Sequence, residues 1–260
     1  DKYDKFPKHE LSETALKPLL GESIFTTNGP VWERQRRMLD PAFGQAKLKE
    51  VFTLMTGGAD AMVERLDAVE DGGIADIEIE MTHVTADIIL RTILSESLEG
   101  EGARKIFNAF NLFQEHAVVM IQLSFFRLPL WLVPRPYLIW KRTGKEIREL
   151  LAVPIRKRFE AHQRGENGGH KDILQSLLET KDPEDGSVYT LEELVDQVAM
   201  LFLAGHETSA SALSWSLFLL AKCPEIQEKL HKETCDLLGD RQPEFKDIPR
   251  HRQIRNVFRE

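Results

Sequence analysis

The sequence predicts a mainly α protein with a minor β contribution. An apolar segment runs from Thr190 to Pro224, in which Asp196 and Glu207 are the only formal charges between Leu194 and Ala221. A helix of about 31 residues would span roughly 46 Å, and apolar residues around nearly its whole circumference are typical of a helix buried on all sides. Elsewhere, as in Lys47–Leu66, apolar residues recur at helical spacing. The segment therefore predicts a long central helix.

Both ends of the central helix carry local signals. Thr190 is followed three residues later by Glu193, the spacing of a capping box, in which each side chain accepts a hydrogen bond from a backbone N–H of the first turn. Pro224 ends the helix and opens an amphipathic helix that stops at Gly239.

The remaining predicted elements are short or amphipathic helices with one exception. Asp76–Glu80 alternates charged and apolar residues and predicts a brief strand. A Gly57-Gly58 pair weakens the helix in which it lies. The other predicted helices are Leu11–Leu20, Pro30–Leu39, Lys47–Leu66, Met81–Leu94, Ala103–Leu123, Tyr137–Arg164 and Lys171–Thr180.

Composition excludes several classes of protein. A hydrophobic content of 42% and a charged content of 29% over 260 residues are typical of a soluble globular chain. The net charge of −8 argues against nucleic acid as a partner, since such binding needs a basic surface. Cys223 and Cys235 suit neither a disulfide framework nor a four-ligand zinc site.

No secretory signal is recognised, which favours a cytoplasmic location. The start at Asp1 does not resemble a natural amino terminus, so a preceding membrane anchor stays open. The apolar region Ala117–Trp140 is broken by polar residues and prolines and does not predict a spanning helix.

The middle of the central helix is unusual. Ala204 to Ser209 place a glycine, a histidine, a carboxylate and two hydroxyls in an apolar helix. Gly205 costs about 1 kcal/mol relative to alanine there, and Thr208 is spaced to bond the Ala204 carbonyl oxygen. Small residues at 205, 208, 209 and 212 share one face, which fits either close packing of another helix or a bound ligand.

His206 followed by Glu207 is similar to the start of a zinc-peptidase helix motif, but that motif needs a second histidine four residues on, where this chain has Ala210. We therefore expect His206 to be a buried histidine with its hydrogen bonds satisfied.

Two motifs together resemble one family. Ala204-Gly205-His206-Glu207-Thr208 is similar to the oxygen-binding motif in the central helix of cytochrome P-450, the haem-thiolate monooxygenases. Trp32 and Arg36, four residues apart, resemble that family's propionate-binding helix. The resemblance covers residues 1–260 as one partial domain with a cytochrome P-450-like helical fold. It implies that Glu260 begins a Glu-x-x-Arg pair, and that the axial cysteine lies beyond it.

The resemblance implies a role for each matching residue. Thr208 and Glu207 would be catalytic, the first holding a hydrogen bond to oxygen or to a water beside it and the second belonging to a proton relay. Ala204 and Gly205 would leave room for oxygen and substrate next to the cofactor. Trp32 and Arg36, on one helix face, would bind the haem propionates; the alternative is a core tryptophan with a solvated arginine.

The implied cofactor is haem b, with electrons from NAD(P)H through a ferredoxin or flavoprotein. Arg34 and Arg37 would attract such an acidic donor or would be solvated surface residues. Phe125, Phe126, Leu128, Leu130 and Trp131 suit an apolar small-molecule substrate or contact with a membrane.

The implied reaction inserts one atom of dioxygen into an apolar organic substrate, and this 260-residue fragment alone is expected to be inactive. Two alternatives stay open: a non-catalytic helical binding protein, which would use the small-residue face of the central helix, and a haem-thiolate isomerase or dehydratase. The pairing of Glu207 with Thr208 favours oxygen activation.

Overall fold

The computed structural model describes residues 7–8, 10–70, 72–129, 132–166 and 168–259, and this part of the chain is helical without a β-strand. Short 3-10 helices cover Asp40–Phe43 and Phe245–Arg250. The α-helices are α1 (Glu10–Leu20), α2 (Gly29–Leu39), α3 (Gln45–Asp67), α4 (Ile77–Leu94), α5 (Glu101–Phe125), α6 (Pro134–Gln163), α7 (Ile173–Glu179), α8 (Leu191–Lys222), α9 (Pro224–Leu238) and α10 (Arg252–Val257).

The long helix α8 is the predicted central helix. Thr190 is its N-cap, and the predicted capping box with Glu193 is present. The helix packs mainly against α4 and also against α6. Its residues 194–202 are buried in the core, because apolar side chains around the whole circumference there leave no face suited to water.

The second half of α8 departs from the prediction of burial on all sides. Trp215 is 64% exposed and Phe218 is 51% exposed. The apolar pattern continues to the end of the helix, but none of the elements described in this chain covers that surface. The prediction is therefore correct for the first half of the helix alone.

The predicted strand at Asp76–Glu80 is wrong. Asp76 is the N-cap of α4, and its carboxylate accepts hydrogen bonds from the backbone N–H groups of Glu78 and Ile79. The physical reason is that an aspartate followed by acidic residues in the first turn favours a helix start. Five alternating residues are too few to outweigh these signals.

The first turns of α8 are fixed by a buried ion pair. Asp196 Oδ1 accepts from Arg148 Nη1 of α6, and Asp196 Oδ2 accepts from the backbone N–H of Glu22 at 2.8 Å. Gly21, with a φ of +51°, lies so close that an added Cβ would stand 2.3 Å from Asp196 Oδ1. These contacts join the loop after α1 to the central helix.

The segment after α5 exposes apolar side chains. Phe125 is 72% exposed and Phe126 is 69% exposed, and Leu128 is also exposed. Leu130 and Trp131, predicted to belong to the same apolar segment, lie outside the described residues. None of the helices in the described part of the chain is both long and apolar enough to cross a bilayer.

Candidate functional site

Thr208 lies on an open face of α8. Its hydroxyl Oγ1 donates to the carbonyl oxygen of Ala204 over 2.5 Å, as the spacing of the two residues predicts. Thr208 is exposed and Ala204 is half-buried. Because the proton of this hydroxyl is directed at the backbone, the lone pairs of the oxygen are available to accept a hydrogen bond from a molecule on this face.

Gly205 lies on a different side of the helix, against α4. An added Cβ would stand 2.6 Å from Cδ1 of Ile89. The structure thus explains this glycine by close helix packing, one of the two alternatives drawn from the sequence. Its predicted contact with a cofactor stays a prediction.

Glu207 is exposed, next to Thr208 in sequence. Among the described residues, no lysine, arginine or histidine lies within ion-pair distance of its carboxylate, which removes an ion pair with a neighbouring helix as its explanation within that part of the chain. The carboxylate instead borders a cavity between three helices.

This cavity, which we name the lateral chamber, has a volume of about 1330 Å³. It is lined by residues 77–83 of α4, 107–118 of α5 and 206–221 of α8, although not by every residue in those ranges. Glu207 is among the lining residues, whereas Ala204, Thr208, Trp32 and Arg36 are not. The structure therefore separates the predicted site residues into those on the open face of α8 and those beside the lateral chamber.

His206 points into the protein, toward α5. Its ring is fully buried and packs against Phe107, Phe110 and Phe202 at centroid distances of 6.4, 6.1 and 4.8 Å. Nδ1 lies 3.0 Å from the carbonyl oxygen of Phe202, but Nε2 has no hydrogen-bond partner among the described residues. The prediction of a fully satisfied histidine is therefore wrong for one of its two nitrogens.

Burial in this aromatic surrounding lowers the pKa of His206, since the apolar environment disfavours the charged imidazolium. Burial likewise lowers the pKa of His83 on α4, whose Nδ1 also lacks a partner in the described structure. Sequence analysis did not single out His83. On an amphipathic helix it has the spacing of an ordinary surface residue, so no local signal distinguishes it.

Trp32 and Arg36 occupy α2, away from the lateral chamber. Trp32 is half-buried against the core, with Nζ of Lys8 at 5.2 Å from its ring centroid. Arg36 is exposed and its Nε pairs with Oδ1 of Asp40 at 2.9 Å. This geometry is compatible both with propionate binding and with a core tryptophan beside a solvated arginine.

The other arginines of α2 have partners in the loop before α8 and at its first turn. Arg34 Nη1 lies 2.6 Å from Glu193 Oε1, and Arg37 Nη2 lies 3.0 Å from Asp182 Oδ2 and 2.8 Å from Glu184 Oε2. Their role in the structure is to join α2 to this loop. The pairing with carboxylates lowers the positive charge that these arginines would present to an acidic electron donor.

The described residues fit a haem. The face of α8 beside Thr208 is open and carries small side chains, which leaves room for a flat group. The guanidinium of Arg36 is exposed and paired only with an exposed carboxylate, so it is accessible to a propionate. Cys223 and Cys235 are free thiols, at the end of α8 and on α9. In the part of the chain that the structure describes, no cluster of three or more histidine, cysteine or acidic side chains could hold a metal ion.

Comparison with known proteins agrees with the fold. Cyclooctatin synthase of Streptomyces melanosporofaciens is 29% identical over 94% of this chain and 51% of its own length. Cytokinin hydroxylase of Arabidopsis thaliana is 30% identical, over 88% of this chain and 45% of its own length. The 11-oxo-beta-amyrin 30-oxidase of Glycyrrhiza uralensis is 27% identical, over 100% of this chain and 50% of its own length.

Among solved structures, the crystal structure of the cytochrome P450DA heme domain superposes with a TM-score of 0.82 and 26% sequence identity, and covers 95% of this chain and 53% of that one. The chain spans about half the length of the relatives that it matches. A sequence model of cytochrome P450 matches residues 2–260. The chain belongs to the cytochrome P450 family.

Proposed function

We propose that the complete protein is a haem-dependent monooxygenase that inserts one atom of dioxygen into an apolar organic substrate. The observation that carries the proposal is the open face of α8, where the Thr208 hydroxyl donates to the Ala204 carbonyl oxygen and keeps its own lone pairs accessible. Two of the relatives are named as a hydroxylase and an oxidase, which supports the same class of reaction.

Haem b, when bound by the complete protein, would supply the activation of dioxygen. Trp32 and Arg36 are the residues of this chain that we propose to hold its propionates, Arg36 through a charge-assisted hydrogen bond. Ala204 and Gly205 are proposed to border the cofactor with small groups that leave space for oxygen and substrate. The thiolate ligand is proposed to follow residue 260.

Thr208 is proposed to position a water or an oxygen atom on the open face. A hydroxyl that donates to a backbone carbonyl oxygen holds a fixed orientation, so a hydrogen bond that it accepts also has a fixed direction. Glu207, one residue away and without an ion-pair partner among the described residues, is proposed to hold a proton for delivery to that position. A carboxylate paired with a cation would exchange protons less readily.

The substrate is proposed to be an apolar small molecule. Phe125, Phe126 and Leu128 expose apolar surface at the end of α5, which suits contact with an apolar molecule or a membrane surface. Electrons are proposed to come from NAD(P)H through a ferredoxin or flavoprotein.

Two measurements on the complete protein test the proposal. The reduced, carbon monoxide-treated protein should show the absorption band of thiolate-ligated haem. Turnover under ¹⁸O₂ should place one labelled atom in the product. A protein without the band would be a non-catalytic helical protein, and a product formed without label would identify an isomerase or dehydratase; either result contradicts the proposal.

A further inference from the structure

Four buried side-chain atoms without a hydrogen-bond partner in the described structure belong to residues that line the lateral chamber. They are His83 Nδ1 on α4, Gln114 Nε2 on α5, and His206 Nε2 and Ser214 Oγ on α8. Each of the three helices thus presents unsatisfied polar atoms to the same space. Because a buried polar atom without a partner is costly, the convergence indicates an occupant that forms hydrogen bonds.

The chemistry of His206 restricts that occupant. The carbonyl oxygen of Phe202 can only accept, so the His206 nitrogen facing it, Nδ1, carries the proton. Burial lowers the pKa of His206, which keeps the ring neutral. Nε2 is then a bare acceptor, fully buried at the chamber wall. The occupant must donate a hydrogen bond to it.

The charge of the walls restricts the occupant further. Glu78, Glu115 and Glu207 line the lateral chamber, whereas no lysine or arginine is among its described lining residues. The nearest basic groups are engaged elsewhere: Arg65 pairs with Glu80, and Lys222 lies over the outer ring of Phe218 at 5.3 Å. Such walls favour a cation and disfavour an anion.

The remaining wall is aromatic. Phe107 lies beside the ring of His206, and Trp215 and Phe218 form an edge-to-face pair with centroids 5.7 Å apart. Aromatic faces attract organic cations and provide apolar contact for the rest of a small molecule. The chamber volume of about 1330 Å³ is sufficient for a ligand of this kind.

We propose that the lateral chamber binds an organic ammonium compound that carries a hydroxyl or N–H donor and an aromatic or alicyclic body. The ammonium group lies among the three carboxylates, the donor bonds His206 Nε2, and the apolar body contacts Trp215 and Phe218. The site is separate from the open face beside Thr208. It does not depend on the proposed oxidation, because the residues that form it bind a ligand whatever reaction the protein performs.

The test uses the complete haem-loaded protein and the probe benzyldimethyl(2-hydroxyethyl)ammonium. This probe carries a positive charge, a hydroxyl donor and an aromatic ring, and its nitrogen has no lone pair with which to ligate iron. Calorimetric titration should give saturable binding while the haem absorption band stays unchanged. The anion 3-phenylpropionate, which also carries one aromatic ring, should not compete with the probe.

Two variants locate the site. Glu115→Gln removes one carboxylate and Ser214→Leu fills part of the chamber; each should weaken the probe by about fivefold or more. Glu149→Gln on α6, outside the lateral chamber, is the matched control and should bind as the parent does. Glu115 is exposed, so its variant is expected to fold even if Ser214→Leu does not.

Several outcomes would overturn the proposal. One is the absence of probe binding at millimolar concentration, which would indicate that water alone satisfies the four atoms. Others are equal binding of the anion, unchanged affinity in Glu115→Gln, and a shift of the haem band on binding. The last would place the probe at the haem instead. None of these results bears on the proposed monooxygenase activity, which the isotope experiment tests separately.

Discussion

Gly205 of α8 and Ile89 of α4 are in such close contact that an added Cβ on Gly205 would stand 2.6 Å from Ile89 Cδ1 and 3.0 Å from its Cγ1. The contact brings the backbones of the two helices together where the cofactor motif lies. It sets both the stability of the α4–α8 interface and the position of the neighbouring Thr208.

We predict that Gly205→Ala destabilises the complete protein by about 1 to 2 kcal/mol. Overpacking costs about 1–3 kcal/mol, and this outweighs the gain of about 1 kcal/mol in helix propensity. Ile89→Val removes Cδ1, so the double variant should recover part of the loss. Denaturant unfolding of both single variants and the double variant measures this coupling.

Gly102→Ala in α5 is the matched control, because an added Cβ at Gly102 meets no atom within 4 Å. It should leave stability unchanged or raise it. If Gly205→Ala behaved as Gly102→Ala does, the interface would not be tightly packed and the packing explanation of Gly205 would be wrong.

A second prediction concerns Thr208, whose hydroxyl is bonded to Ala204. Thr208→Val keeps the shape of the side chain but removes the oxygen, so product formed per NAD(P)H should fall by about tenfold, equivalent to about 1.4 kcal/mol. Peroxide should rise in proportion, while haem content should not change. Thr208→Ser keeps the hydroxyl and should retain most of the product yield.

Ser209→Ala, one residue further along the exposed helix, controls for a general effect on the helix. The comparison of product, NAD(P)H consumed and peroxide in all four proteins makes the assignment testable. Full product yield in Thr208→Val would show that this hydroxyl does not guide proton delivery.

How far the sequence predicts this structure differs from element to element. The bounds of α8 and its Thr190–Glu193 capping box follow from local residue patterns, and both are confirmed. The strand at Asp76–Glu80 is wrong since the capping preference of Asp76 outweighs a short alternation. Local patterns suffice where the determining contacts lie within a few residues.

Contacts between distant segments were beyond the reach of the sequence. Arg34 pairs with Glu193, 159 residues away, and no pattern near Arg34 indicates that partner. In the same way, His206 was expected to be satisfied, but the partner of its Nε2 depends on how α4, α5 and α8 enclose the lateral chamber. The roles of Thr208, Glu207, Ala204, Gly205, Trp32 and Arg36 come from the family resemblance and stay predictions.

The third prediction is a pH dependence of stability. Burial lowers the pKa of His206 in the folded protein below the ordinary value of 6.5. When the pH falls below that value, the unfolded chain takes up a proton before the folded protein does, so acidification destabilises the fold. Each pH unit between the two pKa values is worth about 1.4 kcal/mol.

His206→Phe removes this proton uptake and suits the surrounding phenylalanine rings. Its midpoint of thermal unfolding should therefore fall less than that of the parent between about pH 7.5 and about pH 5.5. His83, whose pKa is lowered for the same reason, should account for part of the remaining dependence. His231→Gln on the exposed surface of α9 should follow the parent; an equal acid sensitivity in His206→Phe would contradict the prediction.

The last prediction separates two explanations of Arg36. Its only ion pair in the described structure joins it to Asp40, with exposed fractions of 57% and 56% for the two side chains. An exposed pair of this kind contributes about 0–1 kcal/mol, so stability alone does not explain a strong effect of removing the arginine. If Arg36 binds a haem propionate in the complete protein, Arg36→Ala should lower haem occupancy. Asp40→Ala, which breaks the same ion pair but leaves the guanidinium in place, should then keep or raise occupancy, because Arg36 is released to the propionate. The ratio of haem absorption to protein absorption and the rate of haem transfer to apomyoglobin measure the two effects. Equal loss of haem in both variants would mean that the ion pair itself supports α2, and unchanged occupancy in both would leave Arg36 as a solvated surface residue.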